Sequence, residues 1–281
     1  MKFYAIINKE GARGRVKGET MPAFYAHQKF GEEVLCKLPD EVKTKVLAYK
    51  EAFLLGTQSP DILFNFKPLS KNQTNAKALG LHLAPAKALF MRAHTFAHER
   101  GGAYLAYAIG LICHFALDNA CHPDVYRLEY KGFNHGRIES ELDKFLKRYY
   151  QDKVFSNATK PLSHKNGASE TAAAVLQVEE KAIKTAVRTM KMVNGLFSIK
   201  SKDLQKFAGW VLKKANKEKF FGMFLHIEGL PETDALNPVL HKRYVDAIAP
   251  TVSLVKAFLN KKPIVEFFDA FDKDYKGEPI E

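Results

Sequence analysis

The sequence predicts an all-α fold. Apolar residues recur every three or four positions along nearly every patterned stretch from Met21 onward, and strict apolar–polar alternation is scarce. Helix breakers such as Gly56, Gly101-Gly102 and Pro123 separate stretches of helical length. With 281 residues, 46% of them apolar, the chain can fill a sizeable core. No fixed-period repeat or low-complexity tract appears.

Residues 1–20 stand apart. Phe3 to Asn8 reads as a short strand followed by a Gly/Arg-rich turn through Arg15. A lone strand cannot bury itself, so residues 1–20 are expected to be an N-terminal extension, or the product of an upstream start. Residues 21–281 are then expected to form a single helical domain. Gly11-Ala-Arg-Gly lacks the Gly-Lys-Ser/Thr that a phosphate loop requires.

The helices follow in order. Phe30, Val34, Leu35 and Leu38 keep helical spacing, and Pro39-Asp40 restarts the chain. A second helix is expected from Asp40 to Leu55, ending at Gly56. Thr57 to Asn75 reads as a loop, broken by Ser59-Pro60 and Pro68. Helices over Ala84 to Arg100 and Ala103 to Ala120 flank Gly101-Gly102, with Pro123 closing the second. Another starts near Asn134 and runs past Tyr149, and Lys153 to Gly167 is loop-like. Leu176, Ile183, Val187 and Met190 predict one helix over Ala172 to Val193. Asp203 to Ala215, Asn237 to Leu259 and a short Ile264 to Phe271 complete the set.

Charge and cysteines narrow the class. Lys plus Arg number 43 against 31 for Asp plus Glu, a formal net charge of +12. Between Lys181 and Phe220 eleven Lys or Arg face only Asp203 and Glu218, a surplus of nine. Such a surface attracts phosphates on nucleic acid, anionic lipid or a small ester; a solvated Lys-rich helix face is the plainer reading. Cys36, Cys113 and Cys121 are too few for a disulfide framework. No apolar signal segment opens the chain. Its most apolar run, Ala103 to Leu117, is about 15 residues against the ~20 of a membrane helix. A soluble cytoplasmic protein is expected.

The informative segment is Cys113-His-Phe-Ala-Leu-Asp-Asn-Ala-Cys-His-Pro. His114, Asp118 and His122, four residues apart, share one helical stripe among Ile109, Leu111, Phe115 and Leu117. Two imidazoles and a carboxylate there are costly unless paired or bound to metal, and imidazole with carboxylate suits zinc. Asn134-His135-Gly-Arg-Ile-Glu139 repeats the step with His135 and Glu139. Upstream, His27, Asp61 and His82 each lie near a helix end or loop. His94 and His98, also four apart, are expected to support the cleft rather than bind metal. Cys113 and Cys121 are expected to be buried packing residues.

Five motifs in sequence order resemble the zinc-dependent phospholipase C family, which is related to the fungal-type single-strand nucleases. They are Ala26-His27-Gln-Lys-Phe-Gly-Glu-Glu-Val, Leu55-Gly56-Thr-Gln-Ser-Pro60-Asp61-Ile, Gly80-Leu-His82, His114-x3-Asp118 and His135-x3-Glu139. The resemblance is firm from Met21 to about Glu139, then loose through His226-Ile-Glu-Gly-Leu-Pro231 to about Leu259. It implies a multi-helix phospholipase C/nuclease-like bundle holding two or three zinc ions. Asp61, His82, His114 and Asp118 would hold one; His27 and a bridging Asp118, a second; His122, His135 and Glu139, the third. Two features depart from the better-known secreted members. Only three residues separate Asp118 from His122, a shorter gap than theirs. Those members also use the amine and carbonyl of an N-terminal Trp, whereas the single tryptophan here is Trp210. A start at Met21 with the Met removed would put the amine on Pro22, five residues before His27.

The function so implied is zinc-dependent hydrolysis of phosphate esters, with Asp61 as the catalytic carboxylate and a phospholipid or related small ester as substrate. A single-strand nuclease on the same scaffold is the nearer alternative. A non-catalytic, metal-stabilised lipid- or anion-binding protein is the more distant one. The run Phe220, Phe221, Met223, Phe224 and Leu225 beside Lys213, Lys214, Lys217 and Lys219 offers either peripheral membrane contact or core packing.

Overall fold

The structure, a computed structural model, describes residues 23–216, 221 and 224–260. The N-terminal extension, the proposed start at Met21, Phe220, Met223 and the helix expected at residues 264–271 lie outside these.

Among the described residues there are eleven α-helices, two short 3-10 helices and no strand. In chain order the α-helices are α1 (Phe24–Cys36), α2 (Asp40–Leu47), α3 (Lys50–Gly56), α4 (Gln73–Leu83), α5 (Lys87–Arg100) and α6 (Gly102–Tyr130), then α7 (His135–Tyr149), α8 (Ala168–Leu176), α9 (Glu180–Phe197), α10 (Lys202–Lys214) and α11 (Leu236–Phe258). A 3-10 turn at Asp61–Asn65 follows α3, and another at Pro231–Thr233 precedes α11.

The all-α expectation holds, and several boundaries move. The expected helix from Asp40 to Leu55 is two helices, with Tyr49 in a non-helical conformation between them. The break lets α3 turn onto α6. The stretch read as a loop to Asn75 holds the Asp61–Asn65 turn and the start of α4, capped by Asn72, whose side chain accepts from the Asn75 N–H at 2.9 Å. The helix expected over Ala172 to Val193 is α8 and α9, separated at Gln177 in the left-handed region (φ 55°). Leu176 and Ile183 lie about two turns apart, a spacing that two helices in phase also satisfy.

The largest difference is at α6, which runs 29 residues through Pro123 instead of ending before it. Proline removes one helical hydrogen bond and crowds the preceding turn. Past that point α11 packs against α6, with Arg243 Nε donating to the Asp124 carboxylate at 3.0 Å. Among the described residues α6 is the one helix long and apolar enough to cross a membrane, and 72% of its apolar stretch is buried by its neighbours. It is the central rod of the bundle.

One hydrophobic cluster runs from Ala23 to Phe258 around this rod, and a satellite is built on Phe197 and Phe224. The tightest crossing joins α3 to α6 at two glycines. A Cβ on Gly56 would stand 2.2 Å from the Tyr107 carbonyl oxygen, and one on Gly110 would stand 2.2 Å from that of Phe53. Only residues lacking a side chain allow the backbones so close. This contact carries Thr57, and four residues later Asp61, onto the face of α6 that bears His114.

Candidate metal centre

Four elements converge on the His114–Asp118–His122 stripe of α6. Helix α1 brings His27, the 3-10 turn brings Asp61, α4 brings His82 near its end, and α7 brings His135 and Glu139. His27, Asp61, His114, Asp118, His122, His135 and Glu139 are buried, and His82 is half-buried. All eight sequence-selected residues therefore meet in one place.

They form two adjoining groups. In the first, Asp61 Oδ1 lies 2.6 Å from His82 Nε2 and 3.8 Å from His114 Nε2. Asp118 receives His114 Nε2 at 3.1 Å on one oxygen and His27 Nε2 at 3.2 Å on the other. The His27 and His114 rings stack with centroids 4.0 Å apart. Ligand atoms of His27, Asp61 and His114 fall within 4.8 Å of one another. His27 thus stands beside Asp118, the residue the resemblance pairs it with, and close to Asp61 and His114 as well. In the second group, Glu139 Oε1 lies 3.2 Å from His135 Nε2 and 3.5 Å from His122 Nε2. His122 Nε2 is also 3.6 Å from Asp118 Oδ1, so it links the groups. The short gap between Asp118 and His122 is what keeps both on α6; they differ by four residues and point the same way.

These separations fit zinc. Tetrahedral ligands about 2.0–2.1 Å from an ion stand roughly 3.3 Å from one another, and most of the pairs above lie at 3.1–3.8 Å. The 2.6 Å Asp61–His82 pair is at hydrogen-bond distance instead. Buried Glu139 Oε2 and His27 Nδ1 have no hydrogen-bond partner, which is costly for a purely structural cluster and natural for ligand atoms.

The outer shell orients the rings. His114 Nδ1 faces the Thr57 carbonyl at 3.1 Å and His82 Nδ1 the Ala78 carbonyl at 2.7 Å. A carbonyl only accepts, so in both rings Nδ1 carries the hydrogen and a neutral ring offers its Nε2 lone pair to the cluster. His135 Nδ1 likewise faces Glu129 Oε2 at 3.1 Å. This is the arrangement by which proteins fix the tautomer of metal-binding histidines.

Electrostatics follow from the crowding. Burial alone would lower the His114 pKa, but Asp118 and Asp61 outweigh it and raise it to about 9. His135 is raised to about 10, with Glu139 and Glu129 overcoming burial. Burial opposes ionisation of Asp118 and Glu139, yet the surrounding imidazoles hold Asp118 well below the usual carboxylate range and Glu139 at about 2. The carboxylates are thus charged, and protons occupy the positions a cation would take.

Sequence reasoning missed several supports. Glu129 gave no signal, because it reaches His135 only through the fold of residues 131–134. Asp143 was findable, since it continues the four-residue step of His135 and Glu139 along α7. Its carboxylate accepts the backbone N–H of Tyr25 at 3.1 Å and of Ala26 at 2.9 Å, anchoring the start of α1 beside His27. Burial raises its pKa to about 7.

Other expectations resolve here. His94 and His98 turn their Nε2 atoms to the carbonyls of Asn260 and Phe258 at 3.0 and 3.1 Å. They tie down the end of α11 and stand apart from both groups. Arg137 pairs with Glu141 at 3.1 Å and donates to the Glu228 carbonyl at 2.6 Å. Cys113 and Cys121 are buried and their thiol pKa values are pushed up by that burial. Tyr104 and Tyr107 are buried, Tyr130 is exposed, and the Tyr126 ring centroid lies 5.4 and 5.6 Å from those of His122 and His135.

Comparison with known families places this geometry. The family model described as zinc dependent phospholipase C matches residues 26–195, a span holding all eight residues. No curated protein matches, and no solved structure does.

Proposed function

Because the chain belongs to the zinc-dependent phospholipase C family, we propose that it hydrolyses phosphate esters at this centre, with a phospholipid as the leading substrate class. The observation that supports this best is the convergence of five imidazoles and three carboxylates from α1, the 3-10 turn, α4, α6 and α7 on one buried locus. The first group would hold one or two zinc ions, with Asp118 bridging, and His122, His135 and Glu139 a further one. When bound, such ions supply positive charge for the phosphate oxygens and lower the pKa of a water towards ~7.

The chain's own residues do the rest. Asp118 and Glu139 bring the negative charge that balances the cations. The Thr57 and Ala78 carbonyls and Glu129 lock the rings, so little reorganisation is needed during reaction. Asp61 Oδ1 and His82 Nε2 face each other and would share an ion between them, and Asp61 Oδ2 would then orient the attacking water and take its proton. The apolar lining of α6 limits water around the site.

A second reading has one observation behind it. Tyr126 beside His122 and His135 is an aromatic ring at the centre's edge, as a base-stacking single-strand nuclease would want.

The test compares wild type with Asp118→Asn on short-chain phosphatidylcholine, single-stranded DNA and a chromogenic phosphate ester, with zinc counted per chain. We expect at least two zinc ions, preferential turnover of the phospholipid, and loss of both metal and turnover in the variant. Full zinc content and activity in Asp118→Asn would exclude the bridging role. Zinc binding without turnover of any ester would leave a metal-stabilised binding protein.

A further inference from the structure

Helix α10 has two apolar sides, and only one is used by the fold. Each residue advances a helix by 100°. Ala208 and Leu212 turn inward onto the satellite cluster of Phe197 and Phe224. On the other side Leu204, Phe207, Trp210 and Val211 fall within an arc of about 120° and face solvent, with Phe207 61% and Trp210 57% exposed. The Phe207 and Trp210 rings stack with centroids 6.0 Å apart, a ledge of aromatic surface outside the core. Lys202, Lys206 and Lys213 occupy a strip of about 40° between the two sides. Lys214 stands at the end of the outer stripe.

The surface continues beyond the helix. Leu69, Met192 and Leu196 are also more than half exposed. Leu69 and Met192 line an apolar groove of about 500 Å³ that Leu212 of α10 closes on one side. Asn65 is another lining residue, and Asn65 ends the same 3-10 turn that begins with Asp61. The described residues of the aromatic run, Phe221, Phe224 and Leu225, by contrast, serve the core. Phe224 and Leu225 are buried, and Phe221 lies so near α10 that a Cβ on Gly209 would stand 3.1 Å from its ring.

We propose that α10 docks on an anionic lipid bilayer, its outer stripe entering the headgroup–acyl boundary and its lysines meeting the lipid charge. A helix combining Trp, Phe and Leu on one side with lysines beside them fits that interface, and the surplus of three positive charges on α10 itself, Lys202, Lys206, Lys213 and Lys214 against Asp203, is complementary to it. The same charge argues against a second copy of this chain, whose lysine rows would oppose each other across a symmetric contact. Docked this way, the groove would lie near the lipid surface, with Asn65 of the turn that carries Asp61 in its lining.

Trp210, the single tryptophan, reports the event directly. The zinc-loaded protein is mixed with vesicles of phosphatidylcholine alone or in equal mixture with phosphatidylglycerol, following Trp210 emission, acrylamide quenching and co-sedimentation. On the mixed vesicles we expect a blue shift, protection from quenching and salt-sensitive sedimentation, all weaker on phosphatidylcholine alone. Phe207→Glu and Leu204→Glu sit in solvent and leave the fold intact; each should weaken sedimentation by about tenfold or more. The inference is overturned by an unshifted Trp210 on the mixed vesicles. It is equally overturned by binding that both variants retain, or by a Trp210 already shielded in a lipid-free dimer. Binding needs no turnover, so a protein that docks but cleaves no ester counts against the hydrolase reading alone. One that cleaves short-chain phosphatidylcholine but never docks counts against this inference alone.

Discussion

Gly110→Ala tests whether the crossing of α3 and α6 builds the centre. The new methyl carbon would stand 2.2 Å from Phe53 O, 2.8 Å from Thr57 N and 3.0 Å from Gly56 C. All three are backbone atoms, so no side-chain rotation relieves the contact. A carbon–oxygen contact relaxes at roughly 3.3 Å, so the helices must part by about 1 Å. The hydrogen bond from His114 Nδ1 to the Thr57 carbonyl, now 3.1 Å, would stretch to about 4 Å and be lost. Overpacking and the orphaned buried groups together cost about 2–4 kcal/mol, a fall in Tm of about 5–15 °C for a chain of this size. Losing the tautomer-fixing partner should also weaken zinc binding by about 10–100-fold. Thermal unfolding and zinc retained against a competing chelator measure both effects. Gly80→Ala on α4 is the control: a Cβ there meets nothing within 4 Å, and the change should be neutral or slightly stabilising. An unchanged Tm and zinc affinity in Gly110→Ala would refute the claim that this crossing holds His114 in place.

Glu129→Ala should lower affinity for the zinc held by His122, His135 and Glu139 by about 10–100-fold and spare the first group; a chelator titration resolving the ions decides it, and equal loss at both groups would contradict the assignment. Asp143→Ala leaves the Tyr25 and Ala26 N–H groups without an acceptor, costing about 1–2 kcal/mol, and should loosen zinc at His27, read by unfolding and by zinc content. Zinc must displace protons from His114 and His135, whose pKa values are about 9 and 10. Binding near pH 7.5 should therefore release at least two protons per chain, with His122, also raised against burial by Asp118 and Glu139, adding to them; calorimetry in buffers of different ionisation heat measures this, and affinity should rise with pH up to about 9–10. For chelator-treated protein the sign reverses. A histidine whose folded pKa exceeds its unfolded value of ~6.5 contributes its full stabilisation below that pH and loses it as pH rises through 9–10. Tm should then fall across that window, and a flat profile would count against the charged cluster.

Much of this was legible in the sequence because it depends on spacing along the chain. A period of 3.6 residues dictates that apolar residues at three and four bury one face, which marks helices without reference to their neighbours. The same period puts His114, Asp118 and His122 on one stripe, and His135 with Glu139. An apolar helix bearing such groups announces a need for compensation before any partner is known. The family resemblance added His27, Asp61 and His82, which spacing alone could not connect.

Tertiary structure decided which faces meet. That Pro123 lies within α6, that Gln177 parts α8 from α9, and that Glu129, Asp143 and the Thr57 and Ala78 carbonyls hold the ligands in place all depend on contacts between segments distant in sequence. The outward apolar stripe of α10 belongs to the same class. Its periodicity looks like that of any core helix, and only the packing of Ala208 and Leu212 shows that its other side is left to solvent. Periodicity records how a chain turns about its own axis; what each side of a helix touches is set by through-space packing and electrostatics, which local sequence does not encode.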